Sequence, residues 1–267
     1  MKRLGEDPAG ELEPLGEQPF HLEYATPDKS VQPVYLLADS QLLFWRVEGR
    51  PFLAGVRERL RRRSPLAAYV GASNGDDPAY YSLFEAAMDE VEIRERRQIR
   101  SELGPADLEF IDDADLILLS GGDVERGWRA FEANGLKQIL VRRYYEGALL
   151  MGVSAGAVQL GLAGWGGGGV RGAGELLDTL RILPHLVGAH EEGDDWLGLK
   201  AAVIRLGEHV RGFGIPAGGG FAYHPDHSIE PFRKPLVEIR SRGQSLRQSL
   251  LMPGERTADF DDDATIH

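Results

Sequence analysis

Four short apolar runs, residues 34–38, 66–72, 115–119 and 149–153, punctuate the first half of the sequence. A polar or glycine-containing turn follows each of them, and beyond the turns apolar residues recur at helical spacing. The runs are too short for typical helices and lack the polar alternation of a half-exposed strand. They read as strands buried on both faces. Strands that alternate with helices in this way build a mostly parallel sheet covered on both sides, so the expected fold is α/β with three layers.

Helices are expected over residues 52–60, 79–90, 124–134, 136–145 and 196–210. Further strands are expected over 180–190, interrupted and ending at His190, and over 212–216. An antiparallel pair is expected over 236–240 and 245–251. Residues 91–101 fit either an alternating strand or a charged connection, and 217–223 read as a glycine-rich turn. Residues 1–30 are polar and rich in Pro, Gly and Glu, with a short strand near Phe20–Tyr24, and read as an arm. Residues 31–255 then form one domain, and 256–267 an acidic tail.

Composition narrows the function. A formal net charge of −12 argues against sequence-independent binding to nucleic acid. The basic cluster Arg57, Arg59, Arg61, Arg62 and Arg63 reads as a solvated helix end. The chain has no cysteine, which excludes disulfides, thiolate metal sites and a cysteine nucleophile. No apolar run is long enough to span a bilayer, and the first residues carry no apolar signal core, so a cytoplasmic protein is expected.

The fourth run leads into Gly152-Val153-Ser154-Ala155-Gly156, and residues from Val158 onward can start a helix. Strand, tight turn and helix in that order form a nucleophile elbow, which holds a serine hydroxyl out at the strand's carboxyl end. A capping serine in a plain glycine-rich turn has the same local pattern. In open α/β sheets ligands sit beyond the carboxyl ends of the strands, where Gly121, Gly122 and Ser154 all fall. Gly167, Gly169 and Gly172 match a dinucleotide fingerprint but do not lie between a strand and a helix, so they read as a loop beside the site. The loop His224-Pro225-Asp226-His227 offers imidazoles that His185 or His190 would complete. It lacks a His-Glu-x-x-His pattern, and Pro225 breaks helical spacing, so neither metal nor cofactor is expected.

Three segments carry a family resemblance: Leu118-Leu119-Ser120-Gly121-Gly122-Asp123, Gly152-Val153-Ser154-Ala155-Gly156-Ala157, and Leu183-Pro184 running on to His190. Across residues 32–240 the chain resembles the serine peptidases that include dipeptidase E and cyanophycinase, which have the class I glutamine amidotransferase-like fold. The resemblance implies a peptidase acting on a small peptide or isopeptide, an aspartyl dipeptide or a cyanophycin-like unit, through an acyl-enzyme. It implies Ser154 as nucleophile, His190 as general base, with His185 the alternative, and an oxyanion hole from the N–H groups of Ala155 and of Gly121 or Gly122. Arg171 is the residue considered for a substrate carboxylate. A homodimer is the assembly considered.

One position departs from the family. Its acidic residue falls near the turn after Ile215-Pro216, where this chain has Ala217. Either another carboxylate orients the histidine or the protein is a degenerate, ligand-binding member of the fold. The substitutes are Asp226, Glu191, Glu192 and Glu230, and Asp226 is preferred because it follows the same strand. An α/β-hydrolase esterase using His224 or His227 is the remaining alternative.

Overall fold

The computed structural model describes residues 31–165, 176–242 and 245–254. Its main sheet has five parallel strands, β1 (Val34–Leu37), β2 (Leu66–Val70), β3 (Glu95–Ile99), β4 (Leu116–Leu119) and β5 (Leu149–Val153). Between and after them run α1 (Phe52–Arg59), α2 (Pro78–Asp89), α3 (Pro105–Asp113), α4 (Val124–Asn134), α5 (Leu136–Tyr145) and α6 (Ala155–Leu160). The second half contributes β6 (Leu186–Ala189), α7 (Leu197–Leu206), β7 (Arg211–Ile215), β8 (Gly220–Tyr223), β9 (Ile229–Phe232), β10 (Leu236–Arg242) and β11 (Ser245–Leu251). The seven-stranded sheet runs β9-β8-β1-β5-β4-β2-β3, and a second sheet runs β6-β7-β10-β11.

Alternate residues of the buried strands serve opposite cores, as the period of two demands. Leu36, Val70, Leu119 and Leu150 pack under α3 to α6, through residues such as Phe131 and Leu140. Tyr35, Tyr69, Leu118 and Met151 pack under α1 and α2, through Leu53, Val56 and Phe84. A third cluster joins α7 to the second sheet through Leu199, Val203 and Ile239. The three-layer α/β expectation holds, with a second sheet added to it. No helix among the described residues is long and apolar enough to cross a membrane.

Several expected elements change. The strand expected over 180–190 shortens to β6, which pairs with β7 in the second sheet. The helix expected over 196–210 ends at Leu206. Residues 217–223 are a turn only at first, because Gly220–Tyr223 is β8, antiparallel to β1. A Cβ at Gly220 would lie 2.7 Å from Leu42 Cδ1 and 2.9 Å from the Leu36 carbonyl oxygen, so close packing explains that glycine. The arm, the tail, and the loop with Gly167, Gly169, Arg171 and Gly172 lie outside the described residues.

The second sheet contains a buried charge cluster. Glu238 accepts from Arg211 Nε and from Arg240 Nε, each at 2.7 Å, and from Ser249 Oγ at 3.1 Å. Burial pushes its carboxyl pKa up, but the two guanidinium groups outweigh that and hold it below its ordinary value. A carboxyl with a depressed folded pKa stabilises the fold above its unfolded pKa, and that contribution fades as pH falls through the folded value. Glu238→Gln is expected to cost about 2 kcal/mol at neutral pH. Denaturant titrations at pH 7 and pH 3 should show the difference from wild type shrinking at the acid end.

Candidate active site

Ser154 follows β5 directly and opens α6 with φ 50° and ψ −111°, a conformation unfavourable to any residue with a Cβ. Its N–H donates to the Leu37 carbonyl at 2.8 Å, which ties the corner to the end of β1. The flanking glycines are steric requirements. A Cβ on Gly152 would lie 2.5 Å from the Gly156 carbonyl carbon, and one on Gly156 would lie 2.3 Å from the Leu119 carbonyl oxygen. Strand, corner and helix can therefore approach this closely only without side chains at those two positions.

His190 comes from the other sheet. It follows β6 with φ 47°, and its N–H donates to the Ile215 carbonyl at 2.8 Å at the end of β7. Its Nε2 lies 2.7 Å from Ser154 Oγ. The two sheets thus bring together a hydroxyl and an imidazole 36 residues apart in sequence. His185 is buried between the rings of Phe213 and Tyr223, and burial pushes its pKa down to about 3. It belongs to the core packing, and the imidazole at the serine is His190.

Gly121 and Gly122 follow β4. A Cβ on Gly121 would sit 3.3 Å from Ser154 Cβ, so the backbone there faces the serine closely. Gly122 has φ 135°, and a Cβ on it would meet the Ser73 carbonyl oxygen at 2.2 Å. Among the described residues none accepts the N–H of Gly121, Gly122 or Ala155. Three unpaired main-chain donors thus lie on the segments that flank the hydroxyl.

The four candidate carboxylates separate clearly. Asp226 is not the partner of His190. It follows β8, and β8 reverses the chain, so Tyr223 pairs with Val34 at the amino end of β1 while Ser154 lies past the carboxyl end. The length of β1 alone, roughly 10 Å, separates those edges. Asp226 Oδ1 accepts there from Ser228 N at 3.1 Å and Ser228 Oγ at 2.6 Å. Glu230 shares that edge and pairs with His224 Nε2 at 2.9 Å. His227 Nδ1 lies 2.6 Å from Tyr223 Oη, so both loop histidines are remote from the serine. Glu191 accepts from Trp165 Nε1 and from Leu199 N, each at 3.3 Å, and so holds the start of α7. Its burial raises its pKa.

Glu192 alone of the four reaches the departure point, since its Oε1 accepts from Ala217 N at 2.9 Å. A second carboxylate converges on the same turn. Asp39, just past β1, accepts from Gly218 N at 2.6 Å and from Gln41 N at 2.8 Å. Among the described residues no carboxylate hydrogen-bonds the His190 ring; Glu191 is the carboxyl that feels the His190 charge, which opposes the upward push of its burial. The sequence signal for Asp39 is its place at a strand's carboxyl end, like that of Ser154.

A cavity of about 290 Å³ opens beside the serine and is lined by Asp39, Gly121, Gly122, Ser154 and His190 among others. Its lining also includes the buried Leu43, Tyr69, Phe84, Leu118 and Ser120 and the exposed Tyr80 and Leu83 of α2.

A hydroxyl on a strained strand-to-helix corner, an imidazole at hydrogen-bond distance and unpaired amides around them are the parts of an acyl-transfer hydrolase. The comparisons supply the family. The model of peptidase family S51 matches residues 53–192, just over half of the chain, and the chain belongs to that family. The matched stretch contains both Ser154 and His190 and ends at Glu192. The fold is similar to the crystal structure of a peptidase from an acI-B1 Actinobacterium, with a TM-score of 0.63 and 19% identity over 85% of this chain and 97% of that one. It is also similar to a candidate peptidase E from Listeria monocytogenes EGD-e, with a TM-score of 0.50 and 11% identity over 83% of this chain and 99% of that one. No curated protein sequence matches the chain.

Proposed function

We propose that this chain is a serine-type peptidase that cleaves a small peptide or isopeptide through an acyl-enzyme on Ser154. The observation that carries the reading is the 2.7 Å approach of His190 Nε2 to Ser154 Oγ. Ser154 Oγ attacks the scissile carbonyl carbon as His190 Nε2 takes its proton. The carbonyl oxygen gains the negative charge, and the unpaired N–H groups of Gly121, Gly122 and Ala155 are the donors available to it. Collapse expels the amine, which leaves with the proton from His190. Water then attacks the ester with His190 as base, and the acid product departs. The cavity volume suits a dipeptide-sized or isopeptide-sized group, in keeping with the aspartyl-dipeptide and cyanophycin-like substrates that the resemblance implies.

Glu192 is the residue proposed to position His190, because its carboxylate is anchored on the amide of Ala217, where the family has its acid. The chain delivers the negative charge to that turn from beyond the carboxyl end of the neighbouring parallel strand, β6. Glu192→Gln is expected to lower kcat by about 10²-fold with KM little changed, since orientation matters most when the imidazolium forms. Steady-state kinetics check this, and an unchanged kcat would remove Glu192 from the mechanism. The degenerate, ligand-binding reading rests on the absence of a carboxylate on the His190 ring among the described residues.

Hydroxylamine trapping during turnover of a dipeptide mixture tests the acyl-enzyme. The proposal expects hydroxamate to form at the expense of the free acid. Turnover without hydroxamate, or turnover that survives in Ser154→Ala, would contradict it. A total lack of turnover would favour the ligand-binding reading.

A further inference from the structure

We infer that Ser120, which lines the cavity beside Ser154, hydrogen-bonds the side-chain carboxylate of the residue that donates the scissile carbonyl. The Tyr69 hydroxyl is the second donor, and the assignment rests on the serine mechanism proposed above. Ser120 follows β4, and its N–H donates to the Val70 carbonyl at 3.0 Å. The period of two puts its side chain on the face of the sheet that carries Leu118 and Tyr69. Ser120 and Tyr69 both line the cavity. Ser120 is 2% exposed, and its Oγ has no hydrogen-bond partner among the described residues. A buried hydroxyl left unpaired forfeits its hydration with nothing in return, so native structures seldom keep one without a use.

The neighbours set the chemistry. Tyr69 Oη accepts from Asn74 Nδ2 at 2.7 Å, which leaves the phenol's own proton for another acceptor. Burial pushes that phenol up to about 12, against the opposite pull of Asn74 and Ser120, so it is a neutral donor close to the Ser120 hydroxyl. Two neighbouring hydroxyls, each with a hydrogen to give, match the two oxygens of a carboxylate, and hydrogen bonds to a charged acceptor are the stronger kind. Leu43, Phe84 and Leu118 share the lining and lower the local dielectric, which strengthens such bonds. The lining's own carboxylate, Asp39, is already engaged by the amides of Gly218 and Gln41. Reach fits as well. In the proposed acyl-enzyme the carbonyl oxygen faces the amide of Gly121, the residue next to Ser120. A carboxylate one methylene from the acyl residue's Cα then comes within range of Ser120 Oγ.

Diphenyl α-aminoalkylphosphonates that carry a carboxymethyl side chain, or isobutyl as its apolar isostere, test this without requiring turnover. The serine oxygen bonds to phosphorus as one phenoxide leaves, and the serine proton passes to His190. The rate of that step reports how well the side chain is seated. Ser120→Ala is expected to lower the ratio of the carboxymethyl rate to the isobutyl rate on the order of tenfold, and Tyr69→Phe to lower it too. The Tm of Ser120→Ala should be no lower than that of the wild type, because the hydroxyl has no protein bond to lose. A ratio unmoved by Ser120→Ala would overturn the inference while leaving the serine mechanism standing. A fall in the Tm of Ser120→Ala would overturn it as well, by marking the hydroxyl as a structural group. Failure of both reagents to modify Ser154 in the wild type would remove the serine mechanism and this inference with it.

Discussion

Ser154→Ala is expected to fold normally and to lose at least about 10⁴-fold in kcat/KM, or roughly 5.5 kcal/mol of transition-state stabilisation. The loss is large because the hydroxyl is the bond-forming atom in the proposed mechanism, and the neighbouring amides retain only the residual catalysis of an empty oxyanion site. A second replacement at the same position separates function from strain. Ser154 is held at φ 50°. Alanine keeps the Cβ that makes this conformation costly, and glycine removes it. Ser154→Gly should therefore be more stable than Ser154→Ala by about 1 kcal/mol, the strain relief exceeding glycine's greater entropy loss. Thermal unfolding of the two inactive variants measures the difference, since both lack the bond to His190. Equal stabilities would mean that the corner stores no strain.

The second large effect is structural. Gly156→Ala should destabilise the protein by about 3 kcal/mol or more, a fall in Tm of roughly 6–12 °C. The added carbon would lie 2.3 Å from the Leu119 carbonyl oxygen and 2.7 Å from its carbonyl carbon. Those atoms belong to the backbone of β4 in the centre of the sheet and have no rotamer to give way. The same shift would pull Gly121 and Gly122, which follow β4, away from the serine. Activity should accordingly fall further than the population of folded protein does, which calorimetry and kinetics on one preparation would reveal.

The sequence exposes the parts of this fold that are buried on both faces. β1, β2, β4 and β5 are apolar runs because α1 and α2 cover one side and α3 to α6 the other. β3 escapes such reading because it is an edge strand with the sequence Glu95-Arg96-Arg97-Gln98-Ile99, whose Arg96 and Arg97 pair with Asp89 and Asp107. Its signal is ion pairing, which has no period along the chain. β8 escapes because its entry glycine is demanded by packing against Leu42 and Leu36, and glycine otherwise signals a turn.

The site divides along the same line. Ser154, His190 and the glycines after β4 are legible because each sits at the end of a readable strand. The carboxylates at the Ala217 turn are not. Asp226 follows β7 in sequence, but β8 carries the chain to the opposite end of the strands before Asp226 is reached. Glu192 and Asp39 meet the Ala217-Gly218 turn from distant positions, a convergence that only the pairing of β6 with β7 and of β1 with β8 creates.

Intact-mass and peptide-mapping analysis after treatment with a fluorophosphonate measures whether Ser154 is the nucleophile. A single adduct on Ser154 is expected, formed more slowly in His190→Ala and absent in Ser154→Ala. No adduct, or an adduct on another residue while Ser154 stays unmodified, would contradict that role.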